Sequence, residues 1–413
     1  MSESISAQIN LALAVFGGLV VIYALFSRFF KERLLISDPI LAVLVGILLS
    51  PLVLNWFAPS NWGNQEIILL EAARVAIAIQ LMSTALRLPS GYPFRHWRGL
   101  GVLLGLIMPL MWLCSSLLAY LILDLSVWEA LLLGAVITPT DPVLAATIVT
   151  GAFAEQNLAK QIRHLLSAES GANDGLGYPF VLLPILMLNR PQGEAISHWL
   201  LEVWLWEVGA AIVMGGLLGY LAGVCLVWAQ EKEIIDKQSF FTYTLALSVG
   251  VLGIVKLLGS DGILAVFVAG IAFDLKVESR DRIEEEKVQD SLDLLLTTSI
   301  FVLFALALPW QEWLDLGWKG LLLAVAVLLL RRLPGMLLLY SLMGLRRRAD
   351  ALFMGWFGPI GVAAIFYANL AVRDTGIEEI WPIASLIIFT SVFAHGITAV
   401  PFTKLHHQPK SDN

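Results

Sequence analysis

The sequence predicts an all-α polytopic membrane protein, and three observations predict it. Of its 413 residues 58% are hydrophobic and only 14% charged, with a mean hydropathy of +0.80, whereas soluble domains carry about 25% charged residues. Apolar stretches long enough for a hydrocarbon core of about 30 Å recur along the whole chain. Lysine and arginine fall almost entirely in alternate connections between those stretches, as the cytoplasmic bias of positive charge requires. The formal charge of -7 and the lack of a basic stripe exclude a nucleic-acid partner. Two cysteines, Cys114 and Cys225, both in apolar stretches, are too few and too far apart for a disulfide framework or a zinc site.

About thirteen spans are expected, at residues 9–27, 38–57, 67–88, 98–123, 127–151, 161–188, 200–229, 240–258, 260–275, 291–309, 318–344, 352–372 and 380–403. The polar start, Met1 to Asn10, has no basic region of the signal-peptide kind, so the first stretch reads as a span. One set of alternate connections holds 19 basic residues, among them Arg28, Arg95, Lys160, Lys232, Lys276, Arg346 and Lys404; the other keeps four, Arg190, Lys256, Lys319 and Arg373. That split puts the N-terminus outside and the C-terminus in the cytoplasm. Arg74, Arg331 and Arg332 lie within or at the edge of spans, where each needs a partner. Tryptophans such as Trp56, Trp128, Trp310 and Trp381 fall near span ends and read as interfacial anchors. The mixed-sign stretch Glu278 to Asp293 reads as a solvated loop, and His406 and His407 as a surface tail.

Function concentrates in the sixth span, where Ser167 to Pro179 reads SAESGANDGLGYP. A carboxylate at bilayer depth costs about 2.5–3.5 kcal/mol on insertion scales, so Glu169 and Asp174 need a partner or a watery cavity. On a helix Ser170 and Asp174 share one face, and Glu169 and Asn173 share the next. Asp174 reads as the working group.

Two other spans are interrupted. Thr138 to Val143 (TPTDPV) places two prolines and Asp141 within the fifth, which breaks the helix there. Gly355 to Gly361 (GWFGPIG) interrupts the twelfth. Backbone freed at such depth must be buried in protein or line a cavity. Paired interruptions at corresponding places in two halves mark a transporter site at the midplane. The chain is therefore expected to be one transmembrane domain, 1–413. In it residues 1–188 and 240–403 are two inverted six-helix repeats whose broken helices cross, residues 200–229 a linker helix and 404–413 a cytoplasmic tail.

These segments carry a resemblance. Glu71 to Pro89 (EAARVAIAIQLMSTALRLP), TPTDPV, IRHLLSAESGANDG from Ile162, GSDGILAVFVAG from Gly259, LRRLP from Leu330, GWFGPIG and HGIT from His395 stand in an order and spacing that covers nearly the whole chain. In them the sequence resembles the type-one monovalent cation/proton antiporters, sodium/proton exchangers with an Asn-Asp pair, and looks closest to the fungal plasma-membrane branch. The resemblance implies that Asp174 alternately holds proton and cation, with Ser170, Asp141 and Thr140 adding oxygens. It implies that Asn173 holds the broken helix, and that Glu169 pairs with an arginine of the eleventh span. Arg331 aligns best with that arginine, and Arg332 beside it leaves the choice open. Glu71 falls near a ligand position of some archaeal members, or else pairs locally with Arg74. A homodimer is implied by the resemblance alone. The short cytoplasmic tail points to a prokaryotic inner membrane.

Carboxylate, hydroxyl, carbonyl and water suit a hard alkali cation. Burial disfavours a bare charge, so Asp174 is expected to be neutralised by either a proton or a cation. The same ligand types serve sodium, lithium and potassium. A cation-conducting channel is the competing class. An intramembrane aspartyl protease would need Asp141 and Asp174 to share a proton at close range, and the GxGD context of such proteases is missing. No enzymatic activity is expected, and no cofactor beyond the transported ions.

Overall fold

Every regular element is a helix among the residues that the computed structural model describes, which are 10–11, 13–15, 17–19, 21–22, 25, 37–57, 62–234, 239–277 and 279–406. The first expected span, 9–27, is described only in part, and its described residues are helical, while His407 and the rest of the tail lie outside the described residues. Helix α1 (Asp38–Leu49) carries proline in its first turn, where a missing amide costs nothing. In α2 (Gln65–Arg87) the Asn64 side chain caps the start by accepting from the Ile67 amide at 3.1 Å. Helix α3 (Trp97–Leu123) is followed by α4 (Val127–Val136), which opens with a reciprocal Ser126–Glu129 capping box. The long α5 (Lys160–Asn189) and α6 (Gln192–Glu231) come next, then α7 (Ser239–Leu257) and α8 (Gly262–Asp274). The last third holds α9 (Ser279–Leu306), α10 (Trp310–Leu330), α11 (Leu333–Leu339), α12 (Arg348–Trp356), α13 (Val362–Thr375) and α14 (Ile380–His406).

By length and composition six of these segments are able to cross a bilayer: α2, α3, α6, residues Phe240–Leu257 of α7, the α10–α11 run Trp310–Leu339, and α14. Three readings of the sequence need correction. The stretch expected as a solvated loop, 278–293, is helical from Ser279 and forms the first turns of α9. The eleventh expected span is divided at Arg331–Arg332, between α10 and α11, because both guanidinium groups turn inward to the breaks described below. His406 is no free tail: its Nε2 lies 3.1 Å from Asp350 Oδ1, and both side chains are largely covered.

Helix α13 is at the centre, with every residue from Val362 to Val372 buried. A helix covered on all sides belongs to the interior of a larger bundle. Helices α2, α5 and α14 pack around it. At the side of the bundle α6 approaches α8 so closely that a Cβ on Gly219 would stand 2.6 Å from the Ala269 Cα, which only glycine permits.

Candidate cation-binding site

The two broken helices meet where the sequence breaks them. Helix α4 ends at Val136, and residues 137–145 form a non-helical link before the short helix Ala146–Val149. Helix α12 ends at Trp356, and five residues separate it from α13. Backbone joins the breaks directly, the Asp141 amide donating to the Pro359 carbonyl at 2.8 Å. Gly361 allows this approach, since a Cβ there would meet the Asp141 carboxyl carbon at 2.7 Å.

Breaking two helices in the interior leaves two C-terminal sets of carbonyls and two N-terminal sets of amides without helical partners. One cation and one anion answer both. The Arg331 guanidinium donates to the Ile137 and Thr138 carbonyls at one break and to the Gly358 carbonyl at the other. The Asp141 carboxylate accepts from the Val143 and Leu144 amides through Oδ1, at 2.7 and 3.0 Å, and from the Val362 amide through Oδ2 at 2.6 Å. Positive charge thus sits at the negative ends of the half-helices and negative charge at the positive ends, the sense that the helix dipole favours. Asp141 was expected to ligate the cation. In the structure its two oxygens serve three amides, so its evident work is to cap the crossing.

Helix α5 passes beside this crossing and supplies the side chains that the sequence grouped. Asn173 bridges to Thr140 twice: its Oδ1 accepts from the Thr140 amide at 3.0 Å and its Nδ2 donates to Thr140 Oγ1 at 2.7 Å. Thr140 Oγ1 also lies 3.1 Å from Ser170 Oγ. One turn beyond Ser170, Asp174 is only 3% exposed, and its Oδ1 has no hydrogen-bond partner among the described residues. Asp141 is close enough to repel it. Buried carboxylate oxygens are rarely left unpartnered, so Asp174 is the group here that calls for a proton or a cation.

Glu169, on the neighbouring face, forms a bidentate ion pair with Arg332, Nη1 to Oε1 and Nη2 to Oε2, and both side chains are only 2% exposed. Arg332 Nε donates to the Met354 carbonyl at 2.9 Å, which ties the pair to α12. This corrects the alignment that favoured Arg331 as the partner. Two adjacent arginines leave a helix end in different directions, and only packing decides which meets α5. Glu71 does not join the cluster. It is 48% exposed and bonded to Arg74, whose Nε lies 2.9 Å from its Oε2.

Three positioning residues went unrecognised in the sequence. The Tyr367 hydroxyl donates to the Asp174 carbonyl at 2.5 Å. Ser391 Oγ accepts from the Ile360 amide at 2.7 Å, and His395 Nε2 reaches the Trp356 carbonyl at 2.8 Å, so α14 fastens the second break. A polar group in the interior of an apolar span was the available signal for Tyr367 and Ser391. His395 stood within the HGIT segment without an assigned role.

Known proteins resemble this chain over nearly its whole length. The family profile described as the transmembrane sodium/hydrogen exchanger matches residues 18–405. Na(+)/H(+) antiporter 2 of Zygosaccharomyces rouxii is 35% identical over 407 residues, which cover 91% of this chain and 50% of that protein. The Na(+)/H(+) antiporter of Saccharomyces cerevisiae is 33% identical over 434 residues, covering 97% of this chain and 44% of that one. The chain thus spans about half the length of the curated relatives it matches. Among solved structures, the sodium proton antiporter MjNhaP1 from Methanocaldococcus jannaschii at pH 8 superposes with a TM-score of 0.74 at 20% identity, covering 97% of this chain and 98% of that one. At that identity the likeness shows the fold.

Proposed function

Because the chain belongs to the sodium/hydrogen exchanger family, we propose that it is a secondary active transporter exchanging a monovalent alkali cation for protons by alternating access. Sodium is the first candidate, with lithium and potassium served by the same ligand types. The observation that carries this reading is Asp174 Oδ1, a buried carboxylate oxygen without a partner among the described residues, beside the crossing of two broken helices. Left bare it would be an uncompensated charge in a dry interior, so proton and cation exclude one another there. Ser170 and Thr140 stand beside it as neutral oxygen donors.

At the crossing Glu169 is compensated by Arg332 and Asp141 by three amides, which leaves Asp174 as the carboxylate there that is free to change its occupant. The proposed stoichiometry is one proton for one cation. We read residues 1–188 and 240–403 as inverted six-helix repeats of a thirteen-span domain that works as a homodimer, with the N-terminus outside. The protein is an integral membrane protein. The prokaryotic inner-membrane placement, read from the short tail, draws no support from relatives that are fungal.

Proteoliposomes loaded with a pH dye test the proposal. A sodium gradient should drive proton movement with the wild type, and Asp174→Asn, nearly equal in volume, should abolish it. More than about a tenth of wild-type exchange in that variant, or a sodium current reversing at the sodium equilibrium potential, would overturn the assignment.

A further inference from the structure

A second unpartnered carboxylate shares a cavity with the residue one helical turn beyond Asp174. Tyr178 follows Asp174 by four residues on α5, about 6 Å along the axis and on the same face. Its ring borders a cavity of about 210 Å³ that Asp261 also lines. Asp261 is 5% exposed. Its Oδ1 caps α8, accepting from the Ile263 and Leu264 amides at 2.9 and 3.1 Å, while its Oδ2 has no partner among the described residues. Glu207 of α6 does not line the cavity but lies beside Asp261 and Tyr178, which do. Its backbone carbonyl accepts from Ser260 Oγ at 2.6 Å and from the Asp261 amide at 3.2 Å. Its carboxyl is within hydrogen-bonding reach of Tyr178, and its buried Oε2 has no partner among the described residues.

The charges around this cavity do not cancel. Arg74 is paired with Glu71, and Arg373 Nε lies 2.7 Å from Asp374 Oδ1. Setting those pairs aside, Asp261 and Glu207 face one lysine, the exposed Lys256, whose charge acts on both. One negative charge is left over, and Asp261 Oδ2 and Glu207 Oε2 are buried carboxyl oxygens without a hydrogen-bond partner among the described residues. Neither the capping of α8 nor the packing of α6 requires those two oxygens to be empty. A single monovalent cation satisfies both, with the Tyr178 hydroxyl as a neutral third oxygen.

We propose that Asp261, Glu207 and Tyr178 form a second monovalent-cation site, which holds the ion between this cavity and Asp174. The inference rests on the proposed transport function, because it makes the site a waiting position on the way to the exchanging carboxylate. Its elements are α5, α6 and the start of α8, so the ion would sit against the linker helix rather than at the crossing.

Equilibrium binding of sodium-22 to the purified full chain in detergent tests it, apart from any flux. Asp174→Asn should retain saturable sodium binding, and adding Asp261→Asn should remove it. Asparagine keeps an oxygen to cap α8, so the second substitution removes charge while leaving the helix start intact. Glu207→Gln in the Asp174→Asn background should weaken the residual binding by about tenfold, which keeps the test decisive if the first double variant does not fold. Absence of saturable binding in Asp174→Asn, or residual binding that neither added substitution alters, overturns the second site. If instead Asp174→Asn still exchanges sodium for protons, the failure lies with the transport assignment, whatever the sodium binding shows.

Discussion

Glu169→Gln should destabilise the protein severely without touching any atom proposed to hold the cation. Glu169 and Arg332 are each only 2% exposed and bonded through both nitrogens and both oxygens. Glutamine keeps the shape but removes the charge, leaving the guanidinium with one neutral amide and the Met354 carbonyl. Breaking a buried pair from one side costs about 3–5 kcal/mol, most of it the penalty on the charge left behind. Chemical denaturation in detergent, followed by tryptophan fluorescence, measures the loss. A double-mutant cycle then asks which arginine is involved. Coupling of Glu169→Gln to Arg332→Met should lie in the range of about 0.5–3 kcal/mol found for residues in contact, and should exceed its coupling to Arg331→Met. Arg331 contacts carbonyls of both breaks and no carboxylate, so its loss adds to that of Glu169 instead of overlapping with it. A larger coupling to Arg331, or a Glu169→Gln variant as stable as wild type, would refute the pairing and the view that Glu169 is structural.

Other outcomes follow from the same geometry. Asn173→Ala removes both bonds to Thr140 and leaves its buried amide without an acceptor, a cost of about 1–3 kcal/mol; exchange should fall with it, and normal sodium-driven exchange in a normally stable variant would count against Asn173 as the strap of the crossing. Tyr367→Phe deletes the bond to the Asp174 carbonyl, worth about 0.5–1.5 kcal/mol, and should shift the half-saturating sodium concentration severalfold without abolishing exchange, as initial rates over a sodium series would reveal. With one carboxylate changing its occupant, exchange should generate no membrane potential in sealed liposomes, which a voltage-sensitive dye reads; a potential that follows the sodium gradient would require a second titrating group.

The broken helices were legible because proline has no amide to donate and because Gly-Pro cannot continue a helix, so TPTDPV and GWFGPIG announced themselves. The cluster on α5 was legible because helical spacing alone puts Ser170 with Asp174 and Glu169 with Asn173. What could not be read is what depends on how separate helices meet. Arg331 and Arg332 are adjacent and chemically alike, and the choice between a carboxylate and a set of carbonyls is made by the geometry at the end of α10. The resemblance implies that Asp141 adds an oxygen for the cation; what the sequence did not show is that its carboxylate also accepts from amides of its own break and of α13, more than 200 residues away in sequence. The stretch 278–293 reads as a loop by its charge, yet it is helical from Ser279, since helical backbone tolerates charges of both signs. Tyr367 and Ser391 showed only as polar groups inside apolar spans; their partners could not be read, since those are backbone groups of other segments.

The central claim, that one carboxylate holds either the proton or the cation, is tested most directly by a grid of initial exchange rates over pH and sodium concentration. Below the pKa of the empty site each unit fall in pH leaves about a tenth as much of the free carboxylate ionised, so the half-saturating sodium concentration should rise about tenfold per unit. Raising sodium should then restore nearly the full rate on the acid side, while on the alkaline side the rate should fall because the proton-loaded return step is starved. Acid inhibition that persists unchanged at saturating sodium would contradict competition at Asp174 and require a separate titrating group to control the exchanger.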